Sequence, residues 1–446
     1  MVSPTKLNVP SPRAGAVSVD VTLPKPVFLY GYPKTPRIST AVNDPLLATA
    51  LFLDDGTEKC LLISVDVIWL SKRQVAFVRE RIAAHVDVEI QKILVAASHT
   101  HSGPTTVAMV SNERDPVVPP PDPEIVERIL DGIVTSAIRA VREAEAAEVG
   151  FTHVKVSRIG GNRHNPRGPS APMIPVMAIR LLNTKQLLAI HYVYSVHPTV
   201  LHEDSTLISG DFPGIARQIL QQRMAGSRPL SILHHLGAAG NQSPRHAVSG
   251  NTLAEAGRLA SMLADAIDTA VRGISFSHCW TIDCRWKSID LPMRSLPGLS
   301  AAREQLKVAE ASAAELKRAG ADRAAFRTAE CDLYGAEETV TLAIAAAEGK
   351  LQAAAGECLP AEIQTIRIGS RQFVAWPGEI FVEFAQELQR LFPEAVLITL
   401  ANGELQGYLV TEEAIALSWY ESANAIFASP DAGNLLIAAT RELLAR

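Results

Sequence analysis

The chain has 446 residues, 47% of them apolar and 20% charged, and a formal net charge of −5 spread over both signs, which supplies a large core and excludes the basic patch of a nucleic-acid-binding protein. No run approaches the roughly 18 apolar residues of a membrane span, and the first residues lack the apolar stretch of a signal peptide, so the expectation is a cytoplasmic protein without stable membrane insertion. Five cysteines, odd in number and without a C-x-x-C pair, exclude a disulfide framework and a thiolate zinc site.

Residues 1–13 are rich in Pro and Ser and read as a flexible N-terminal arm. Ala14–Leu23 alternates like a strand, and Gly31, Pro33 and Pro36 then enforce an irregular loop. LLATALFLDDG and CLLISVDVIWL read as two strands joined by a turn at Asp55–Gly56. A helix is predicted over Ser71–Val86, a strand over Ile93–Ala97, and a long amphipathic helix over Pro123–Glu148. Asp122 is placed to cap that helix and Pro123 to open it. GFTHVKVSRI, VMAIRLL, LLAIHYVYSV and LSILHHL read as strands, FPGIARQILQQRM and Asn251–Val271 as helices, and WTIDCRWKSIDL as a strand with one exposed face. From about 298 to 352 the composition shifts to Ala, Glu, Lys and Arg at helical spacing, which predicts an inserted two-helix hairpin with breaks near Gly320 and Gly335. A hairpin around Gly369–Ser370, a helix ending at Leu391, a strand AVLITLANG and a closing helix Asp431–Ala445 complete the chain. Mixed strand and helix order predicts an α/β fold, with central mixed β-sheets flanked by helices and residues 14–446 forming a single domain.

Six junctions join an ordered segment to polar residues: Ser98–Pro104, Gly160–Gly168, Ser195–Thr199, Gly237–Arg245, Trp376–Glu379 and Gly403–Ala414. Active sites gather on loops held by a rigid sheet, so such a series suggests one pocket. In the first, SHTHSGP, alternate residues of an extended chain point the same way, so His99 and His101 can face one pocket from a strand end. Two or three histidines plus a carboxylate is the ligand set of a catalytic zinc site, which acidifies water to a pKa of roughly 7. Each residue alone also has a structural reading. His99 and His101 can hydrogen-bond a loop, His197 before Pro198 can be a core histidine, and Glu379 can be an early helix carboxylate favoured by the macrodipole. Ser243 lacks the G-x-S-x-G elbow of a serine hydrolase, and Tyr408 and Tyr420 can be partly buried aromatics.

Taken in order, SHTHSGP, SVHPT, GNQSPR, WPGE and GYLVTEEAIALSWYES resemble the motifs of the neutral (non-lysosomal) ceramidase family, over most of the chain from Gly15 to the C-terminal helix. The resemblance implies one Zn²⁺ ion held by His99, His197, Glu379 and Tyr420. It also implies a functionally important Ser243, Tyr408 near the reacting carbonyl, Arg163 as a second candidate to stabilise the oxyanion, and His101 close to the metal. Members of that family are secreted or membrane-associated and carry a β-sandwich after the catalytic domain, whereas this chain ends soon after the YES motif. Ala41-Val42-Asn43 stands where a Gly-Ile-His is expected.

The sequence therefore predicts a zinc-dependent hydrolase in which a metal-activated water cleaves a carboxamide C–N bond in a substrate smaller than ceramide. Ester or lactone hydrolysis is the first alternative, because the same centre attacks both carbonyls. A non-catalytic binding protein that kept the fold is the second. A barrel amidohydrolase with an H-x-H pair is disfavoured by the lack of an eight-fold βα alternation. The expected partner is a small-molecule amide or ester; the oligomeric state is not encoded in any motif.

Overall fold

The computed structural model describes residues 11–445. Most of the predicted N-terminal arm, residues 1–10, lies outside the described residues, and at Arg13 the chain is already in a strand, Arg13–Asp20. Among the described residues no helix is long and apolar enough to cross a membrane.

Two sheets face one another. The larger runs in the order Ser231–Leu236, Leu187–Tyr194, Met173–Leu181, Glu145–Lys155, Arg13–Asp20, Leu47–Asp54, Lys59–Val65, Ile93–Ala97, with a short strand Phe276–Ser277 also paired to Glu145–Lys155. The smaller has four strands in the order Ile282–Ile289, Ala361–Ile368, Arg371–Ala375, Ala395–Ile398. Strand residues alternate faces, and here both faces are buried. Leu51, Leu53, Cys60, Leu62, Leu94 and Ala96 point into the inter-sheet core with Ile282, Ile366, Phe373 and Ile398. Their neighbours Ala50, Phe52, Leu61, Ile63, Ile93 and Val95 point outward against helices Lys72–Ala83 and Pro123–Arg142. Helices Asp211–Met224 and Leu253–Arg272 cover the other half of that outer face. Helices Val382–Leu391 and Ala432–Leu444 cover the smaller sheet. The result is a four-layer arrangement, helices–sheet–sheet–helices, an α/β fold with central mixed sheets as predicted.

Local signals act where they were read. Ser71 and Gln74 form a capping box at the start of Lys72–Ala83, and the Asp122 side chain accepts from the Glu124 N–H. One boundary differs: the helix predicted to reach Glu148 ends at Arg142, and Glu145–Lys155 is a strand. Ala146 pairs with Arg13 and Glu145 with Ala14, so pairing at the sheet overrides the helical preference of Glu and Ala.

The predicted insertion is a run of three helices rather than two: Leu299–Arg318, Arg323–Ala347 and Lys350–Cys358. The breaks fall at Gly320 and Gly349, both in left-handed backbone. Gly335 does not break its helix. Its missing Cβ instead allows a close approach, because a Cβ there would lie 2.9 Å from the Ala423 Cβ and 3.3 Å from the Tyr420 Cα. The insertion is therefore packed against the short helix Tyr420–Ala423, which carries a predicted site residue.

Candidate metal centre

The motif loops converge at one end of the sheets, and backbone hydrogen bonds join them. Glu379–Ile380 pairs with Tyr408–Leu409, and Gln242–Ser243 pairs with Gly161–Asn162. The His197 N–H donates to the Gln242 carbonyl (3.0 Å) and the Gly240 N–H to the Ile380 carbonyl (2.8 Å). Five stretches far apart in sequence thus share one framework.

His99, His101 and His197 form a group whose ligand atoms all lie within 4.8 Å of one another. His99, His197 and Glu379 are almost fully buried. The two histidines of SHTHSGP do face one pocket, but not by strand alternation. The strand ends at Ala97, and His99 takes left-handed backbone (φ 68°), fixed by the Ser98 and His99 N–H groups donating to the Val65 and Val67 carbonyls. A non-glycine residue held there stores strain of order 1–3 kcal/mol, a feature found where geometry serves a site.

Each of the three rings places its Nδ1 on backbone carbonyls: His99 on Ile68 (3.0 Å), His101 on Gly31 (3.0 Å), and His197 on Ala239 (2.6 Å) and Gln242 (3.0 Å). Such a bond sets the tautomer with the proton on Nδ1 and leaves the Nε2 lone pair free for a metal. Those lone pairs converge with a carboxylate. Nε2 of His99 and of His197 each lie 3.1 Å from Glu379 Oε2, and Nε2 of His101 lies 3.3 Å from Nε2 of His99. Donors each roughly 2.0–2.1 Å from one zinc ion at a tetrahedral angle are separated by about 3.3 Å. The residues present therefore fit a divalent ion, and without a cation the facing lone pairs repel. Burial, with the neighbouring imidazoles, pushes His101 well below the usual imidazole range, and burial also lowers His197. Burial alone would raise the Glu379 carboxyl, but His99 and His197 hold it well below the ordinary value. The lowered His101 and His197 and the ionised Glu379 are in the states that bind metal.

The other predicted residues surround this group. Tyr408 is buried, its ring 6.5 Å from the ring of His197 and 6.0 Å from that of Tyr420. Burial raises both phenols well above their usual range, so neither ionises without a cation beside it. Tyr420 opens the short helix Tyr420–Ala423 and lines the cavity with His101, but it is not one of the three-histidine group. Arg163 is buried with its guanidinium 5.5 Å from the Tyr408 ring centre and 5.9 Å from that of Tyr420. Its Nε and Nη2 each lie 2.5 Å from Glu421 Oε1. Burial opposes the charge, and Glu421 more than offsets it. Ser243 lines the cavity, and its Oγ accepts from the Arg245 N–H (3.3 Å).

Sequence reasoning missed three contributors. Glu421 anchors Arg163 and also His164, whose Nε2 is 2.8 Å away and whose ring stacks on Trp419 at 3.9 Å. Glu203 pairs with Arg327 at 2.8 Å across the cavity. The inserted helix contributes Arg323, Phe326, Arg327, Glu330, Cys331 and Tyr334 to the wall of a cavity of about 190 Å³. That spacing of three and four places them on one helix face, a signal present in the sequence but obscured by the charged composition of the hairpin.

A search of curated proteins finds no match to this chain. Among solved structures, the neutral ceramidase of Pseudomonas aeruginosa superposes with a TM-score of 0.73 at 18% identity, covering 97% of this chain and 75% of that one. A structure described as a ceramidase complexed with C2 gives a TM-score of 0.73 at 16% identity, covering 97% of this chain and 76% of that one. At these identities the likeness establishes the fold. Residues 13–268, more than half of the chain, match the N-terminal region of the neutral/alkaline non-lysosomal ceramidases, and the chain belongs to that family.

Proposed function

We propose that the protein is a zinc-dependent hydrolase that cleaves a carboxamide C–N bond in a substrate smaller and more polar than ceramide. Family and fold support an amide hydrolase. The observation that carries the reading further is the convergence of His99 and His197 Nε2 on Glu379 Oε2, each at 3.1 Å, with both Nδ1 atoms committed to backbone carbonyls. His99, His197 and Glu379, with Tyr420 as fourth ligand, hold one zinc ion. When bound, the ion supplies Lewis-acid polarisation of a carbonyl and acidifies water.

The remaining residues act on the substrate. His101, lining the cavity and anchored to the Gly31 carbonyl, carries the proton from water to the departing nitrogen, so that hydrolysis yields a carboxylic acid and an amine. The Tyr408 hydroxyl, kept protonated by burial, and the Arg163 guanidinium face the carbonyl oxygen, where one donor contributes roughly 3 kcal/mol to the transition state. Ser243 positions the substrate. Metal analysis tests the assignment. A folded variant carrying His99→Ala and Glu379→Ala is expected to lose stoichiometric zinc, and retention of zinc by that variant would overturn the ligand set.

A further inference from the structure

We propose that the substrate carries an anionic group, a carboxylate or a phosphate, which seats on the guanidinium of Arg245 in the cavity beside the three histidines. The inference rests on the hydrolase reading only in calling that ligand a substrate.

The cavity wall holds four arginines, Arg163, Arg245, Arg323 and Arg327, against two glutamates, Glu203 and Glu330. Two of the arginines are neutralised: Arg163 by Glu421 at 2.5 Å, and Arg327 by Glu203 at 2.8 Å and Glu330 at 3.3 Å. Arg245 is different. Nη1 donates to Thr328 Oγ1 (3.0 Å) and to the Arg163 carbonyl (3.4 Å), and Nη2 to Cys331 Sγ (3.4 Å), none of them a carboxylate. Among the described residues, the exposed Arg323 bonds to the Val248 carbonyl and Asn251 Oδ1 and to no carboxylate. A guanidinium keeps its charge at any physiological pH, and a largely enclosed charge that no carboxylate among the described residues pairs with directly, Glu421 and Asp332 acting on it only from farther away, is costly. Burial indeed disfavours the charged form of Arg245.

An anionic ligand removes that cost. The planar fork of arginine matches carboxylate and phosphate oxygens, and Arg245 lines the same small cavity as His101, His197 and Ser243, so a group seated on it lies beside the proposed reaction centre. Arg323 and Arg327 come from the inserted helix, which makes the insertion part of the recognition wall. A neutral amide offers Arg245 no counter-charge.

Calorimetry on the zinc-loaded protein tests this with two matched pairs: N-acetylglycine against N-acetylglycinamide, and N-acetyl-phosphoethanolamine against N-acetylethanolamine. The anionic member of at least one pair is expected to bind roughly 10–100-fold more tightly, the span of a charge-assisted hydrogen bond. The pair that shows the preference separates a carboxylate from a phosphate. Arg245→Gln should reduce that preference to within about two-fold, and Arg245→Lys, which keeps the charge, should retain part of it. Equal affinities in the wild type would overturn the proposal. So would a preference that survives Arg245→Gln, which would place the anion on the metal. Turnover of the same compounds is read separately. An Arg245-dependent preference without cleavage supports the anion subsite while removing the hydrolase reading, and cleavage without preference does the reverse.

Discussion

Nε2 of His99 and Nε2 of His101 face each other at 3.3 Å, although each ring has already committed its Nδ1 to a backbone carbonyl. With both Nδ1 atoms as donors, a metal ion relieves the repulsion of two lone pairs at that separation. Removal of metal by a chelator is therefore expected to lower the melting temperature, and added zinc to restore it. At a thousand-fold excess over Kd the ion contributes about 4 kcal/mol. Single variants separate the roles of the flanking groups: Tyr420→Phe should weaken zinc retention, whereas His101→Ala should keep stoichiometric zinc and lose roughly 10²–10⁴-fold in rate. Loss of zinc from His101→Ala with retention by Tyr420→Phe would exchange the two assignments.

Gly31 determines where His101 points. Its backbone lies at φ 123°, and a Cβ added there would stand 2.4 Å from His101 Nδ1. Gly31→Ala therefore meets both a strained conformation and a clash with the ring that its own carbonyl orients. The expected result is a stability loss of roughly 1–3 kcal/mol together with a fall in kcat larger than that of a surface Gly→Ala control such as Gly257→Ala, whose Cβ would meet nothing within 4 Å. Equal effects of the two substitutions on kcat would remove Gly31 from the site.

Far from the candidate metal centre, Arg79 joins the helical layer to the smaller sheet. Nη1 and Nη2 donate to the two oxygens of Glu362 (2.9 and 2.8 Å) and Nε to the Ile93 carbonyl (2.8 Å), with Arg79 only 5% exposed. Arg79→Met leaves Glu362 without its counter-charge and is expected to cost roughly 3 kcal/mol in denaturant unfolding. Adding Glu362→Gln should recover part of the loss, since an uncompensated carboxylate costs more than the missing pair. A larger loss in the double variant would contradict this account.

The same contrast between local and distant interactions explains what could be read in the chain. The caps at Ser71 and Asp122 and the short apolar run Leu47–Asp54 are local, and they settle elements before any tertiary contact forms. His99, His197 and Glu379 were legible because each sits in a short motif whose order along the chain is itself informative. Glu145–Lys155 was misread at its start because its partner, the Arg13–Asp20 strand, is remote in sequence. Glu203 and Glu421 stayed hidden for the same reason: nothing near either residue announces Arg327 or Arg163. The left-handed backbone of His99 was equally invisible, since it is imposed by the Val65 and Val67 carbonyls at and just beyond the end of a neighbouring strand.

Glu338 makes the protein's stability depend on pH in an unusual direction. It lies on the inserted helix, buried, with Oε1 accepting from Asn112 Nδ2 at 2.8 Å, and burial pushes its carboxyl up to about 8 from the ordinary 4.5. Between those two values the folded protein holds a proton that the unfolded chain has released, so stability falls as pH rises. The contribution is complete below about pH 4.5 and is lost as pH passes through about 8. Glu338→Gln keeps the shape and the acceptor for Asn112 while removing the titration. Chemical denaturation of both proteins from pH 5 to 9 should show the wild type losing up to roughly 1.4 kcal/mol per pH unit relative to the variant across that window, then running parallel above it. A difference that stays constant with pH would mean that Glu338 is ionised in the folded protein. The negative charge would then stand, without a cation beside it, on the helix that walls the cavity.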